Sequence, residues 1–248
     1  MEQRYVGKGV IVTGAGSGIG RGVAERLGAE GGSIACLDVN LDNAKATADS
    51  IGNGARAFAC DVSNWQQVES VVAQVTDAFG KVDVLCNVAG IGGFANSHDV
   101  DPAAFERMIG VNLTGTFFMC RAVLPQMVER GHGVIVNTAS TAGVMGQPWS
   151  AAYCASKGGV SALTRALATE YDTPIRISAV APGGVETNMY SAFIPPENAD
   201  FNRMRKMSRD NVEVAKPAEL AGLYAYLGSD EARYITGSTL VMDGGISC

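Results

Sequence analysis

The sequence predicts a Rossmann-like, doubly wound α/β fold: a seven-stranded parallel sheet with helices on both faces. Three observations point there. Short apolar runs alternate with longer segments of helical periodicity along the whole chain. The strand-like runs are near-continuously apolar rather than alternating, as parallel strands covered on both faces must be. The first run ends in a glycine-rich turn that opens the first helix. No linker or repeat interrupts the alternation, so residues 1–248 are expected to form a single domain.

The elements follow in order. "KGVIVTGA" is rich in β-branched residues and closes on glycine, so it reads as a strand, and Ile19, Val23 and Leu27 then recur at helical spacing. "SIACLD" is a second strand, and "LDNAKATADSI" a polar helix that Asn40 can cap. "ARAFACDV" is a third strand. Val68, Val71, Val72, Val75 and Phe79 mark the next helix, with Asn64 as its cap, and "VDVLCN" is a fourth strand. A long helical stretch runs from Pro102 to Arg130 and is expected to break near Gly110. The rest reads as "GVIVNTAS", a helix from Ala151 to Tyr171, "IRISAVA", a polar insertion at 190–212, a helix after Pro217, and "STLVMD".

Composition narrows the function classes. The chain has 248 residues, 47% hydrophobic, enough for a sizeable core. A formal net charge of -6 and the lack of a dense basic run argue against nucleic-acid binding. The apolar runs look too short to span a bilayer, and "MEQRYVGKGV" does not read as a signal peptide, so no membrane partner is expected. Six cysteines without a CxxC pair suggest buried free thiols in a reducing, cytoplasmic setting. His98 and His132 are the only histidines and have no second ligand at metal spacing; neither a zinc site nor a histidine triad is expected.

"TGAGSGIG" has the spacing Gly14-x-x-x-Gly18-x-Gly20. Glycines there let the backbone approach a pyrophosphate, while the helix N-terminus offers free N–H groups and a partial positive charge. Asp38 ends the second strand, where a carboxylate can accept from the ribose hydroxyls of an adenosine and repel a 2′-phosphate. That favours NAD over NADP. The plain alternative is that Asp38 only caps a turn. "YCASK" sets Tyr153 and Lys157 four residues apart, on one helix face if the segment is helical. An exposed helix with an unrelated tyrosine would read the same way.

Taken together these stretches resemble the short-chain dehydrogenase/reductase family. The motifs that carry the resemblance are "TGAGSGIG", "CDV" at 60–62, "NVAG" at 87–90, "VNLTG" at 111–115, "NTASTAG" at 137–143, "YCASK", "APGGVETNM" at 181–189 and "ITGSTLVMDGG". The resemblance implies a catalytic set of Asn112, Ser140, Tyr153 and Lys157. It implies phosphate contacts at Gly14, Ser17, Gly18, Ile19 and Gly20, and ribose contact at Asp38. It places Asp61 and Val62 at the adenine, with Asn87, Ala89 and Gly90 in the turn beside it, and Pro182, Gly183, Val185 and Thr187 at the nicotinamide. It further implies a homotetramer; Phe117-Phe118-Met119, which buried core would explain equally well, and the helix bearing Tyr153 are candidate packing faces. Val88 and Ser178 depart from the commonest family pattern at scaffold positions.

The chemistry implied is hydride transfer between a nicotinamide cofactor and a small secondary alcohol or ketone. Tyr153 is the general acid/base, tuned by Lys157 and by the cationic nicotinamide. A free phenol titrates at about 10, so activity near neutrality asks the site to favour the phenolate by roughly 3–4 kcal/mol. Ser140 would hold the substrate oxygen, or be an ordinary loop serine; Asn112 would organise a proton relay through water, or bond its own helix backbone. A 3-oxoacyl thioester reductase using NADP is the alternative within the family, and a non-catalytic dinucleotide-binding regulator the alternative outside it. Residues 190–212 are expected to overhang the nicotinamide as a lid. Their bases Arg203, Arg205, Lys206 and Arg209 either meet an anionic substrate or form a solvated face. The expected substrate pocket is lined by Ile91–Phe94, Thr141–Met145 and Gln147–Trp149.

Overall fold

Strands that are apolar on both faces must lie in the middle layer, and that requirement sets the architecture of the computed structural model, which describes residues 3–171, 174–197, 199–205 and 213–248. The strands are β1 (Gly9–Thr13), β2 (Ser33–Asp38), β3 (Arg56–Ala59), β4 (Val84–Asn87), β5 (Gly133–Thr138), β6 (Ile175–Pro182) and β7 (Thr239–Met242). They form one sheet in the order β3-β2-β1-β4-β5-β6-β7, and every pairing is parallel. β1, β4, β5 and β6 are buried at every position, whereas the edge strands β3 and β7 are partly open.

The helices are α1 (Gly18–Ala29), α2 (Leu41–Ile51), α3 (Trp65–Phe79), α4 (Pro102–Ile109), α5 (Gly115–Arg130), α6 (Ala151–Glu170) and α7 (Pro217–Gly228). Val23 and Leu27 of α1 meet Leu220 and Tyr224 of α7 on one face of the sheet. Val68 and Val72 of α3, Met119 and Val123 of α5 and Leu167 of α6 fill the other. Asn40 and Asn64 cap α2 and α3 as expected, each accepting a hydrogen bond from the backbone N–H three residues on.

Three expectations change. The helix across 102–130 does not break at Gly110. It widens into a π-helical turn, Gly110–Thr114, in which the Gly115 N–H reaches the Gly110 carbonyl, and continues as α5. The third strand ends at Ala59, so Cys60, Asp61 and Val62 leave the sheet as a turn toward α3. The joined helix is also long and apolar enough to cross a membrane, contrary to the reading of short apolar runs. Here its apolar side, including Met119, Cys120, Val123 and Met127, packs on the sheet.

The connections run outward in opposite directions from β1 and β4: β1 leads to β2 and β3, and β4 leads to β5 through β7. At that reversal the loops after β1 and β4 part, leaving a crevice at the carboxyl ends of the strands.

Candidate active site

A cleft of about 1270 Å³ opens at this reversal. Gly14, Ser17, Gly18, Ile19 and Gly20 line it, as do Asp38, Asp61, Val62, Ala89, Gly90, Ser140, Tyr153, Lys157, Pro182, Gly183, Val185 and Thr187. Residues far apart in sequence therefore meet because each follows the end of a parallel strand.

The glycines of the turn are required by its backbone and by the close approach of neighbouring loops. Gly14 has φ +65, and a Cβ on it would lie 2.8 Å from the Ala89 Cα. Gly18 has φ +51, and a Cβ there would lie 2.9 Å from Thr187 Cγ2. Ser17 precedes α1 in extended backbone, and its side chain makes no capping hydrogen bond. The N–H groups of the first turn therefore keep their capacity to bind an anion. These features fit a dinucleotide pyrophosphate. Thr13, at the end of β1, ties the second wall down: its hydroxyl accepts from the N–H groups of Val88 (2.9 Å) and Ala89 (3.0 Å).

Asp38 does two things. One carboxylate oxygen accepts from the Asn40 N–H at 2.9 Å, which is the turn-capping alternative; the other accepts from the Gly16 N–H at 2.9 Å. The carboxylate thus borders the glycine turn itself. Arg21 is occupied by Glu25 at 2.8 Å. Asp61 holds the turn after β3 through the Ser63 N–H and hydroxyl.

Two predicted site residues do not reach the cleft surface. Asn87 is buried, and its amide donates to Asn137 Oδ1 at 2.9 Å, inside the sheet. Only Val88, Ala89 and Gly90 of that turn face the cleft. Asn112 is fully buried; its Oδ1 accepts from the Ile91 N–H (2.8 Å), and its Nδ2 donates to the Ile91 carbonyl (2.9 Å) and to Ser156 Oγ (3.0 Å). The π-helical turn places this amide where it clamps the loop after β4. It bonds neither its own helix backbone nor, by its side chain, the cleft.

Tyr153 and Lys157 lie one turn apart on α6 and are both buried, so the exposed-helix alternative falls away. Lys157 Nζ donates to the Thr138 carbonyl at the end of β5 (2.8 Å) and sits 5.9 Å from the centre of the Tyr153 ring. Thr138 is a residue sequence reasoning passed over, although its place between "VIVN" and Ser140 marks the strand end. Its hydroxyl donates to the Asn87 carbonyl at 2.6 Å and meets the fully buried Tyr224 hydroxyl at 2.8 Å. Ser140 opens a short 3-10 turn, Thr141–Gly143, accepting from the Ala142 N–H at 3.2 Å.

The electrostatics of the free protein run opposite to the sequence reading. Burial pushes the Tyr153 phenol up from its ordinary value, and a hydrogen bond with Ser140 opposes this only in part. Burial likewise pushes the Lys157 ammonium down, to about 8. Loss of hydration dominates for both groups, because both are buried at the base of the cleft.

His98 and His132 are exposed. Cys36, Cys60, Cys86 and Cys120 are buried free thiols; Cys154 is half-buried and Cys248 exposed. Phe117-Phe118-Met119 divides: Phe117 is exposed, Phe118 packs on Trp65, and Met119 is core. Arg203 is exposed beside Asp200, while Lys206 and Arg209 lie outside the described residues.

This geometry agrees with what is found among known proteins. The family model described as short chain dehydrogenase matches residues 8–198, and the chain belongs to that family. It is 34% identical over 253 residues to 2-(S)-hydroxypropyl-CoM dehydrogenase 3 of Xanthobacter autotrophicus, covering 100% of this chain and 99% of that protein. It is 37% identical over 247 residues to D-threitol dehydrogenase of Mycolicibacterium smegmatis, covering 98% and 94%. Among solved structures, a 3-ketoacyl-(acyl-carrier-protein) reductase from Brucella melitensis, complexed with NADH, superposes with a TM-score of 0.90. The two share 37% identity over 98% of this chain and 99% of that one. The family binds a nicotinamide cofactor, in keeping with the form of the cleft.

Proposed function

We propose that the protein is an NAD-dependent oxidoreductase that interconverts a secondary alcohol and a ketone, with Tyr153 as general acid/base. The observation that carries this is the meeting of Ser140, Tyr153 and Lys157 at the base of a cleft whose other wall is the glycine turn. When bound, the oxidised dinucleotide supplies the hydride acceptor and a positive charge beside the phenol. The protein's own part is proton movement and positioning. In oxidation the substrate hydroxyl loses its proton to the Tyr153 phenolate as the carbinol hydrogen leaves with its electron pair; in reduction the phenol returns that proton to the alkoxide. Ser140 holds the substrate oxygen. Lys157, anchored to Thr138, supplies the charge that favours the phenolate once the site is filled.

Gly14, Ser17, Gly18, Ile19 and Gly20 would hold the pyrophosphate, Asp38 the adenosine ribose, and Pro182, Gly183, Val185 and Thr187 the nicotinamide end. Asp38 beside the turn and the pairing of Arg21 with Glu25 support NAD over NADP. The relatives named for 2-(S)-hydroxypropyl-CoM and D-threitol support an alcohol substrate. The same reading makes residues 1–248 one catalytic unit, with 190–212 as its lid, of which 198 and 206–212 lie outside the described residues, and makes the working form a cytoplasmic homotetramer that packs through exposed Phe117 and the helix bearing Tyr153. A second reading, reduction of a 3-oxoacyl thioester with NADP, is favoured by the name of the Brucella structure, although that structure carries NADH.

The test is a panel of secondary alcohols and ketones, assayed in both directions with NAD(H) and NADP(H), on wild type and Tyr153→Phe. Wild type should turn over, and Tyr153→Phe should lose at least about 100-fold in rate while binding NADH within a few-fold. A variant that kept a tenth of the wild-type rate would refute the assignment of Tyr153.

A further inference from the structure

Proton transfer leaves one side chain at the active site without a role. Phe193 follows a 3-10 turn, Tyr190–Ala192, beyond β6. Its ring meets Tyr153 edge to face, with centroids 5.3 Å apart and planes at 75°. On its other side it meets Phe94 at 5.1 Å and 79°, and Phe94 meets Trp149 at 5.9 Å and 76°. The close approach depends on Gly92, where a Cβ would lie 2.8 Å from Phe193 Cε2. Three loops, after β4, before α6 and after β6, thus converge their aromatic side chains beside the reacting hydroxyl.

This is not ordinary core packing. Phe94, Trp149 and Phe193 are each only half-buried, and Phe94 and Phe193 line the open cleft together with Met204. Trp149 has φ +58, a left-handed conformation that bulky residues rarely adopt and that tends to persist where a site requires it. Its carbonyl accepts from the Ala95 N–H at 2.8 Å, locking the loop of Trp149 to that of Phe94.

We propose, building on the oxidoreductase reading, that these rings receive the carbon body of the substrate, and that the substrate is a ring-sized, apolar secondary alcohol or its ketone. Edge-to-face rings offer C–H and π contacts to a hydrocarbon ring held with its hydroxyl toward Ser140 and Tyr153. A polyol would lose hydration there without gaining partners. An anion would face the negative faces of the rings. Lys157, which sits over the Tyr153 ring, is already bonded to the Thr138 carbonyl.

The experiment compares kcat/KM for cyclohexanol, threitol and 3-hydroxybutyrate with saturating dinucleotide. Cyclohexanol should exceed both others by at least about tenfold. Phe193→Ala and the volume-sparing Phe193→Leu should each raise its KM by about fivefold or more, with a smaller effect on kcat. Equal or better use of threitol or 3-hydroxybutyrate, or an unchanged KM in a folded Phe193 variant, would overturn the proposal. If no alcohol is turned over, the oxidoreductase reading fails, and binding then decides this one. In a Trp65→Phe background Trp149 is the remaining indole, since the chain has two tryptophans. Saturable quenching of its fluorescence by millimolar cyclohexanone supports an apolar ring site, and absence of quenching refutes it.

Discussion

Replacing Lys157 by methionine should stabilise the free protein at neutral pH while abolishing its activity. The magnitude follows from burial. The ammonium is 3% exposed, and desolvation brings its pKa from 10.5 to about 8. At about 1.36 kcal/mol per pH unit, keeping that charge buried at pH 7 costs the fold about 3 kcal/mol. Methionine removes the cost but also removes the hydrogen bond to the Thr138 carbonyl, worth about 1.5–2 kcal/mol for a charged donor. The net gain is about 1–2 kcal/mol at pH 7, or roughly 2–8 °C in Tm for a chain of this length. Its pH dependence identifies the cause. Between pH 8 and 10.5 the folded lysine is deprotonated while the unfolded one still holds its proton, so wild-type stability rises with pH across that window. The methionine variant lacks this rise, so relative to wild type it should lose about 2–3 kcal/mol from pH 7 to pH 10, turning its advantage into a deficit of about 1 kcal/mol. Urea unfolding followed by circular dichroism at both pH values measures it. A stability difference between variant and wild type that is the same at pH 7 and pH 10 would refute the claim that Lys157 is held charged against a desolvation penalty.

Substitutions at three further places test the site. Wild type should prefer NAD over NADP by at least about tenfold in kcat/KM, about 1.4 kcal/mol; Asp38→Ala should collapse that ratio, and adding Val39→Arg, at a position 76% exposed, should invert it. An unchanged ratio would show that the carboxylate does not face the ribose. Gly143→Ala should lower kcat by about tenfold or more and destabilise the fold by about 1–3 kcal/mol, because its Cβ would lie 2.6 Å from the Lys157 carbonyl carbon and must push the Ser140 turn off α6; steady-state kinetics and a urea melt read both. Asn112→Ala strips partners from the Ile91 N–H and carbonyl and from Ser156, so stability should fall by about 2–3 kcal/mol and substrate KM should rise; a melt within about 0.5 kcal/mol of wild type would show that the clamp is dispensable.

The sequence by itself determined the fold and most of the cleft. Hydrophobic period, Asn caps and glycine turns are local features that act within a few residues, and continuous apolar strands demand a covered parallel sheet wherever they occur. Ser17, Asp38, Ser140 and Thr187 reach one cleft because each lies at or beyond the carboxyl end of a strand, and strand ends can be read along the chain. Tertiary structure decided what depends on residues distant in sequence. Asn87 turns inward because Asn137, fifty residues away, supplies its acceptor. Asn112 clamps Ile91 because a π-helical turn, rather than a break, aims it there. Phe193 reaches Tyr153 only because loops from three strands meet at one end of the sheet, so the aromatic wall has no sequence motif. The direction of the Tyr153 and Lys157 shifts was likewise invisible from "YCASK". The spacing of the two groups is written in four residues, but desolvation is the sum of every atom packed around them.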